Sequence, residues 1–306
     1  MYLLNLPKYT IKDYFEDFLD GRHDNSKNNY IKTRLLAAKS IFIDAEKNYQ
    51  ELATGKLLHT IDDHDIIAIP NNVKLDNKIP RIINASDMEK AYTNFLVDKP
   101  MSQKIGRKVY ESILSNTTHN LCPYCSHRDV KTVDHYLPKA KYISYAITPL
   151  NLLPCCSDCN KDKLDSHSLI EENMLIHPYF DDISQIDWLE CRVIENSWPI
   201  SFAYEVSDDI TDLILKSRIM YQFKLLNLGK LYADNATREF NKRVKSLLKE
   251  YNSNPSNKAL DFINDNLESY LYDNPNSWQT KLFKALKKSK WFAEDALPKL
   301  QKFYEK

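Results

Sequence analysis

The chain has 306 residues, of which 43% are apolar and 27% charged, with 42 basic side chains balancing 42 acidic ones. Such proportions belong to a globular polypeptide of one large domain or two to three small ones. The absence of net charge excludes a surface coated throughout for nucleic acid.

The N-terminal stretch, 1–66, reads as helical. Tyr14, Phe15, Phe18 and Leu19 fall on one face after a cap at Thr10, and a longer helix is expected from Lys32 to Leu58, with Leu35, Leu36, Ile41 and Ile43 among its apolar positions. Residues 67–86 are rich in proline and asparagine and read as a connecting loop. Ser86-Asp87 opens a helix carrying Met88, Ala91, Tyr92 and Phe95, which Pro100 should end. MSQKIGRKVYESILS gives another, with Ile105, Val109, Ile113 and Leu114 as its buried stripe. Val130–His135 and Leu152–Cys155 suit short strands, with a helix starting near Asp158. In 188–207 a hairpin is expected, alternating at Cys191 and Val193 in one arm and at Ile200, Phe202, Tyr204 and Val206 in the other. Helices then fill 208–227, 229–251, 256–272 and 277–304, the first two separated at Gly229. The expected fold class is α+β, mainly helical, with a central ββα module and one additional β-hairpin. Its expected parts are a helical region at 1–115, the module at 116–170, and the hairpin with C-terminal helices at 171–306.

Charge is distributed unevenly along this order. Residues 101–170 hold nine Lys/Arg against six Asp/Glu and 275–306 eight against three, while 171–274 hold eleven against eighteen. Two basic stretches therefore flank an acidic one, as a protein meeting a polyanion locally would have. Solvated helix faces explain the C-terminal stretch equally well. No run approaches the ~18–20 apolar residues of a membrane span. The opening MYLLNLPKYT resembles neither a signal nor a transit peptide. The expectation is a cytoplasmic protein with reduced thiols and no membrane association.

Five of the six cysteines lie within 38 positions. Cys122 and Cys125 form one C-x2-C pair and Cys156 and Cys159 another, a spacing that reads as one closed, structural four-thiolate zinc site. Cys155 competes with Cys156 for the third position, and the matching x2 spacing favours Cys156. Between the pairs lies TVDHYLPK. Phosphodiester hydrolysis needs a base for water and a divalent cation beside the scissile phosphate. His135 is the candidate base, because an imidazole is usable at neutral pH. Asp134 and Asn160 are candidate oxygen ligands for Mg²⁺ or Mn²⁺. Strand neighbours face opposite sides, so Asp134 and His135 can serve one site only at a strand end.

The run CPYC…TVDHYLPK…NLLPCCSDCNKDK resembles the zinc-containing branch of the HNH (ββα-metal) endonucleases over roughly residues 120–165. Asp134-His135 match the first position of that motif, Asn151 the central asparagine and Asn160 the third position. The resemblance implies that His135 activates water, that Asp134 and Asn160 hold the catalytic metal, and that Asn151 orders the loop presenting the histidine. Many relatives carry His at the third position. The amide oxygen here suits a hard ion better than zinc. The flanking layout is also similar to bacterial HNH nucleases of anti-phage defence loci, the Septu-type subunit among them, which implies an ATPase partner.

Arg128, Lys139, Lys141, Lys161 and Lys163 surround the motif and are candidate phosphate contacts, giving affinity without base discrimination. His59, Asp62, Asp63, His64 and Asp65 suit a polar loop better than a metal site. His177 with Asp181 and Asp182 reads as structural, and His167 as a less favoured substitute for Asn160. The resulting expectation is a metal-dependent endonuclease, acting on DNA first and RNA or tRNA second. The alternative is a zinc-folded binding or assembly subunit whose helical flanks dock a partner.

Overall fold

The computed structural model describes residues 2–20, 23–97, 105–164, 166–253 and 258–304. Pro100 and the MSQK start of the following helix lie outside these residues, as do 256–257. The chain divides into two compact units, Tyr2–Asp182 and Ile183–Lys306. The boundaries expected near 115 and 170 both fall inside the first.

In the first unit, α1 (Ile11–Leu19) begins where the Asp13 carboxylate accepts from both the backbone N–H and the hydroxyl of Thr10, each at 2.8 Å. It buries Ile11, Tyr14, Phe15, Phe18 and Leu19. The single helix expected over Lys32–Leu58 is instead two, α2 (Ile31–Ala37) and α3 (Lys39–Thr54), broken where Ala38 leaves helical geometry at φ −97°, ψ 8°. Arg34 of α2 is buried, and its guanidinium makes a two-pronged contact with Asp87 at 2.6 and 2.8 Å. A third bond reaches the carbonyl of Ile82 at 2.7 Å. These contacts tie α2 to the segment read as a loop, which holds a small hairpin: β1 (Ile66–Ala68) pairs antiparallel with β2 (Ile82–Asn84). Only the middle residue of each strand, Ile67 and Ile83, is buried.

Asn84 caps α4 (Ala85–Ala91), which continues as a π-helical turn, Tyr92–Val97. In α5 (Ile105–Leu114), Gly106 is required by close approach, since a Cβ there would stand 2.2 Å from the carbonyl oxygen of Phe95. One apolar core joins α1, α2, the β1–β2 hairpin, α4 and α5 to Val133, Ile143, Ala146, Ile147 and Leu152 of the cysteine-bracketed segment. That segment holds β3 (Thr132–His135), β4 (Leu152–Cys155) and α6 (Ser157–Lys163). β3 and β4 pair antiparallel, Thr132 opposite Cys155 and His135 opposite Leu152.

The second unit opens with the hairpin β5 (Leu189–Ile194) and β6 (Ser201–Val206). Then come α7 (Leu213–Leu225), α8 (Leu228–Ser253), α9 (Lys258–Asp273), α10 (Trp278–Lys288) and α11 (Leu297–Tyr304). A π turn, Phe292–Ala296, leads into α11, so the helix expected over 277–304 is divided. Gly229 does not separate α7 from α8. It lies inside α8, with the Phe223 ring 3.1 Å from where its Cβ would be, and Asn227 makes the break in the left-handed conformation at φ 49°. The molecule is therefore α+β, with small antiparallel two-stranded sheets among its helices. No helix among the described residues is long and apolar enough to cross a membrane.

Candidate metal centre and catalytic cleft

The first cysteine pair sits in a tight turn. The Cys122 N–H bonds the carbonyl of Arg128 at 2.9 Å, Ser126 takes a left-handed conformation at φ 49°, and the Arg128 N–H reaches Cys125 Sγ at 3.5 Å. The second pair uses a helix start: Cys156 is the N-cap of α6, and its sulfur accepts the Cys159 N–H at 3.3 Å. N–H groups thus point at sulfur in both halves, as thiolates require. Cys122, Cys125, Cys156 and Cys159 are buried, and their sulfurs all lie within 4.8 Å of one another. A tetrahedral ion with bonds of ~2.3 Å to sulfur needs them roughly 3.8 Å apart, so the group fits a metal such as zinc. Cys155 is not among the four, and its thiol turns to the carbonyl of Cys156 at 3.3 Å. No disulfide forms between the cysteines.

Asp134 and His135 are the last two residues of β3, where the pairing with β4 ends. Both line one cavity of about 600 Å³, together with Asn160 and Lys161 of α6, Lys139, and Tyr92. His135 Nε2 lies 2.8 Å from the carbonyl oxygen of Ala146. A carbonyl only accepts, so Nε2 carries the proton and Nδ1 the lone pair. Burial pushes the imidazole's pKa down to about 3, against the Ala146 bond that favours the charged form, so the ring stays neutral at physiological pH.

Asp134 is equally enclosed, and burial raises its pKa against the pull of Lys163. Lys163 is not a surface lysine. It is fully buried, donates to the carbonyl of His135 at 2.6 Å and stands 3.2 Å from Asp134 Oδ2. The Lys163 ammonium is the cation that faces this buried carboxylate.

The loop between β3 and β4 is closed by Asn151. Its Oδ1 accepts the Leu137 N–H at 2.7 Å, and its Nδ2 donates to the carbonyls of Leu137 and Tyr145 at 3.0 and 3.2 Å. Ala146, which orients His135, follows Tyr145 directly. Behind Asn151 stands a pair that sequence reasoning did not assign to the site. Tyr49 of α3 donates to Asn151 Oδ1 at 3.2 Å, and its oxygen is 3.0 Å from His177 Nε2. His177 Nδ1 accepts the Tyr179 N–H at 3.2 Å, so Nε2 is the donor toward Tyr49. The HPYFDD segment thereby supports the loop from behind, with Asp181 accepting the His177 N–H at 2.7 Å.

Tyr92 was also missed. Its ring meets that of His135 edge-on at 4.5 Å, and the Lys139 ammonium lies over the ring at 5.1 Å while pairing with Glu89 at 3.4 Å. A tyrosine on an apolar helix face gives no sign of this in the sequence. The π-helical geometry of Tyr92–Val97, frequent at functional sites, is visible only in three dimensions.

Of the remaining candidates, Arg128 pairs with Asp158 at 2.8 Å, and neither it nor Lys141 lines the cavity. His64 Nε2 accepts the Ser144 N–H at 3.2 Å and the His64 backbone N–H bonds the Lys141 carbonyl at 2.6 Å, a bracing role on the loop. His167 packs edge-on against Tyr142 at 4.7 Å, and the cavity is lined by other residues. No family model matches the chain, and no solved structure matches it. Among curated proteins it is similar to Protein ea31 of Escherichia phage lambda, with 28% identity over 305 residues that cover 94% of this chain and 98% of that protein.

Proposed function

We propose that the chain is a metal-dependent HNH endonuclease that hydrolyses phosphodiester bonds of nucleic acid, DNA first and RNA second. The observation that carries this reading is the shared cavity: a neutral imidazole with a free Nδ1 lone pair, a buried carboxylate and an amide, all beside a four-cysteine metal group. The Asp134 carboxylate and the Asn160 amide line the same cavity, and oxygen donors of these kinds suit a hard divalent cation such as Mg²⁺ or Mn²⁺. Such an ion, when bound, neutralises charge on the scissile phosphate and the leaving oxygen.

The remaining work falls to the protein. His135 Nδ1 takes a proton from water, and the Ala146 carbonyl keeps the ring in the tautomer that permits it. Asn151 holds the loop that carries that carbonyl, and the zinc group holds α6, hence Asn160, against β3. Lys139 and Lys161, both on the cavity, meet flanking phosphates without reading bases. By its resemblance the enzyme leaves a 5′-phosphate and serves as the cytoplasmic nuclease of an anti-phage pair with an ATPase.

His135→Ala tests the reading. Plasmid cleavage with Mg²⁺ or Mn²⁺ should be lost while zinc content stays unchanged; full cleavage by the variant would refute it. A second reading, a zinc-folded assembly subunit, is favoured by the helical unit Ile183–Lys306, which the catalytic cavity does not use. Recovery of an ATPase with both wild type and His135→Ala would join the two readings.

A further inference from the structure

The unit Ile183–Lys306 has a cleft of its own, of about 380 Å³, between β5 and α10. Lys281, Lys284 and Lys288 line it from α10, at spacings that place them on one helix face. Lys281 is only 3% exposed, in a helix that also buries Trp278, Leu282, Phe283 and Leu286. Burying an ammonium costs free energy that an apolar side chain at the same position would avoid. Asp187 pairs with Lys281 and also lies 3.8 Å from Lys284, so one carboxylate answers two cations. That carboxylate is 71% exposed, and Lys288 makes no ion pair among the described residues. Of the other charged lining residues, Glu190 accepts from the Ser207 hydroxyl at 2.9 Å, Arg192 lies 3.8 Å from Glu205, and Glu195 adds a second carboxylate beside Asp187.

The electrostatics point the same way. Burial, with the like charges of Lys284 and Lys288, lowers the Lys281 pKa to about 7, so a cation is costly here and an added anion would favour it. The cleft volume lies within the few hundred to ~1,000 Å³ of small-molecule sites, and Leu189, Val193 and Ala285 add apolar wall.

We propose that this cleft binds a phosphate-bearing ligand of nucleotide size, with the ammonium groups of Lys281, Lys284 and Lys288 donating to the phosphates. The phosphates belong either to a free nucleoside triphosphate or to a short stretch of a nucleic-acid strand. The proposal draws on no residue of the catalytic cavity, so it stands or falls apart from the nuclease reading.

Calorimetric titration of the full chain with ATP, and separately with short single-stranded oligonucleotides of increasing length, tests it. Saturable binding is expected, weakened about tenfold or more by Lys288→Glu and by Lys284→Glu, and strengthened by Asp187→Asn. Opposite signs for the two kinds of substitution separate a charge effect from loss of folding, which would weaken all three variants. Tight ATP binding identifies a free nucleotide, and length-dependent binding of the oligonucleotide alone identifies a strand. Two results would overturn the proposal: no saturable binding of either probe at low salt, or binding that none of the three substitutions alters.

Discussion

Asn151 commits its whole side-chain amide to the backbone on both sides of the loop that orients His135. Asn151→Ala leaves the Leu137 N–H and carbonyl without their partner and frees the loop, while the Tyr145 carbonyl keeps the Thr148 N–H and none of the four cysteines is touched. Cleavage should fall about 100-fold, the usual effect of misplacing a catalytic group by an ångström or so, with zinc content unchanged; loss of zinc would mean that the residue acts on the fold instead. Glu46 supports a different test. Its carboxyl is buried, accepts the Ile11 N–H at 2.8 Å through one oxygen and has no donor for the other, and burial raises its pKa to about 7. Below the ordinary value of 4.5 both folded and unfolded chains are protonated. As pH rises from there to about 7 the unfolded chain releases the proton and the native one keeps it, so stability declines across that window. At about 1.4 kcal/mol per pKa unit the loss is of order 3 kcal/mol. Glu46→Gln keeps an acceptor for Ile11 and should flatten that part of the stability–pH curve in urea titrations. His135 and Asn151 stand out in the sequence as candidates because their types and spacing fit a known chemistry. Tyr49, Tyr92 and His177 were not, since an aromatic ring that braces a loop looks in one dimension like any core residue.

At the scale of elements, Lys163 is a strut. It reaches from α6 to the end of β3, where its ammonium meets both the His135 carbonyl and the Asp134 carboxylate, three residues after Asn160 on the same helix. The spacing between Asn160 and the Asp134-His135 pair is set by this bolt as well as by the thiolates. Lys163→Met removes the cation and leaves Asp134 charged and enclosed, so stability should drop by about 3–5 kcal/mol. Adding Asp134→Asn should recover part of it, with a coupling of about 1 kcal/mol or more in a double-mutant cycle. Additive effects would show that the 3.2 Å contact carries no energy. The charge of Lys163 was legible and its burial was not, because nothing in a KDK triplet marks one lysine as pointing inward. The β1–β2 hairpin escaped for a related reason. With Ile66 and Ile82 exposed and only Ile67 and Ile83 buried, strands of three residues are too short to display alternation. The β3–β4 pair and α6 were found because cysteines bracket them, a far stronger marker than hydropathy.

For the whole molecule, the division at residue 182 places the metal group in the same unit as the N-terminal helices. The expectation of a separate module failed to anticipate a shared core, in which Val133, Ile143 and Leu152 pack with Phe15, Phe42 and Ile113. The consequence is that metal should stabilise more than its own loop. Structural zinc sites contribute on the order of 10 kcal/mol in apparent terms, and a metal held by these four cysteines would stabilise α1 and α5 through the common core. The second unit closes around its own contacts, α8 against β6 and α10 against β5 and α9. Stripping the metal under reducing conditions should therefore raise amide hydrogen exchange in β3, β4 and α6 and also in α1 and α5, while α8 and α10 keep their protection. Faster exchange confined to the cysteine turns would mean that the shared core holds without the ion. Faster exchange throughout α8 and α10 would mean that the two units fold as one.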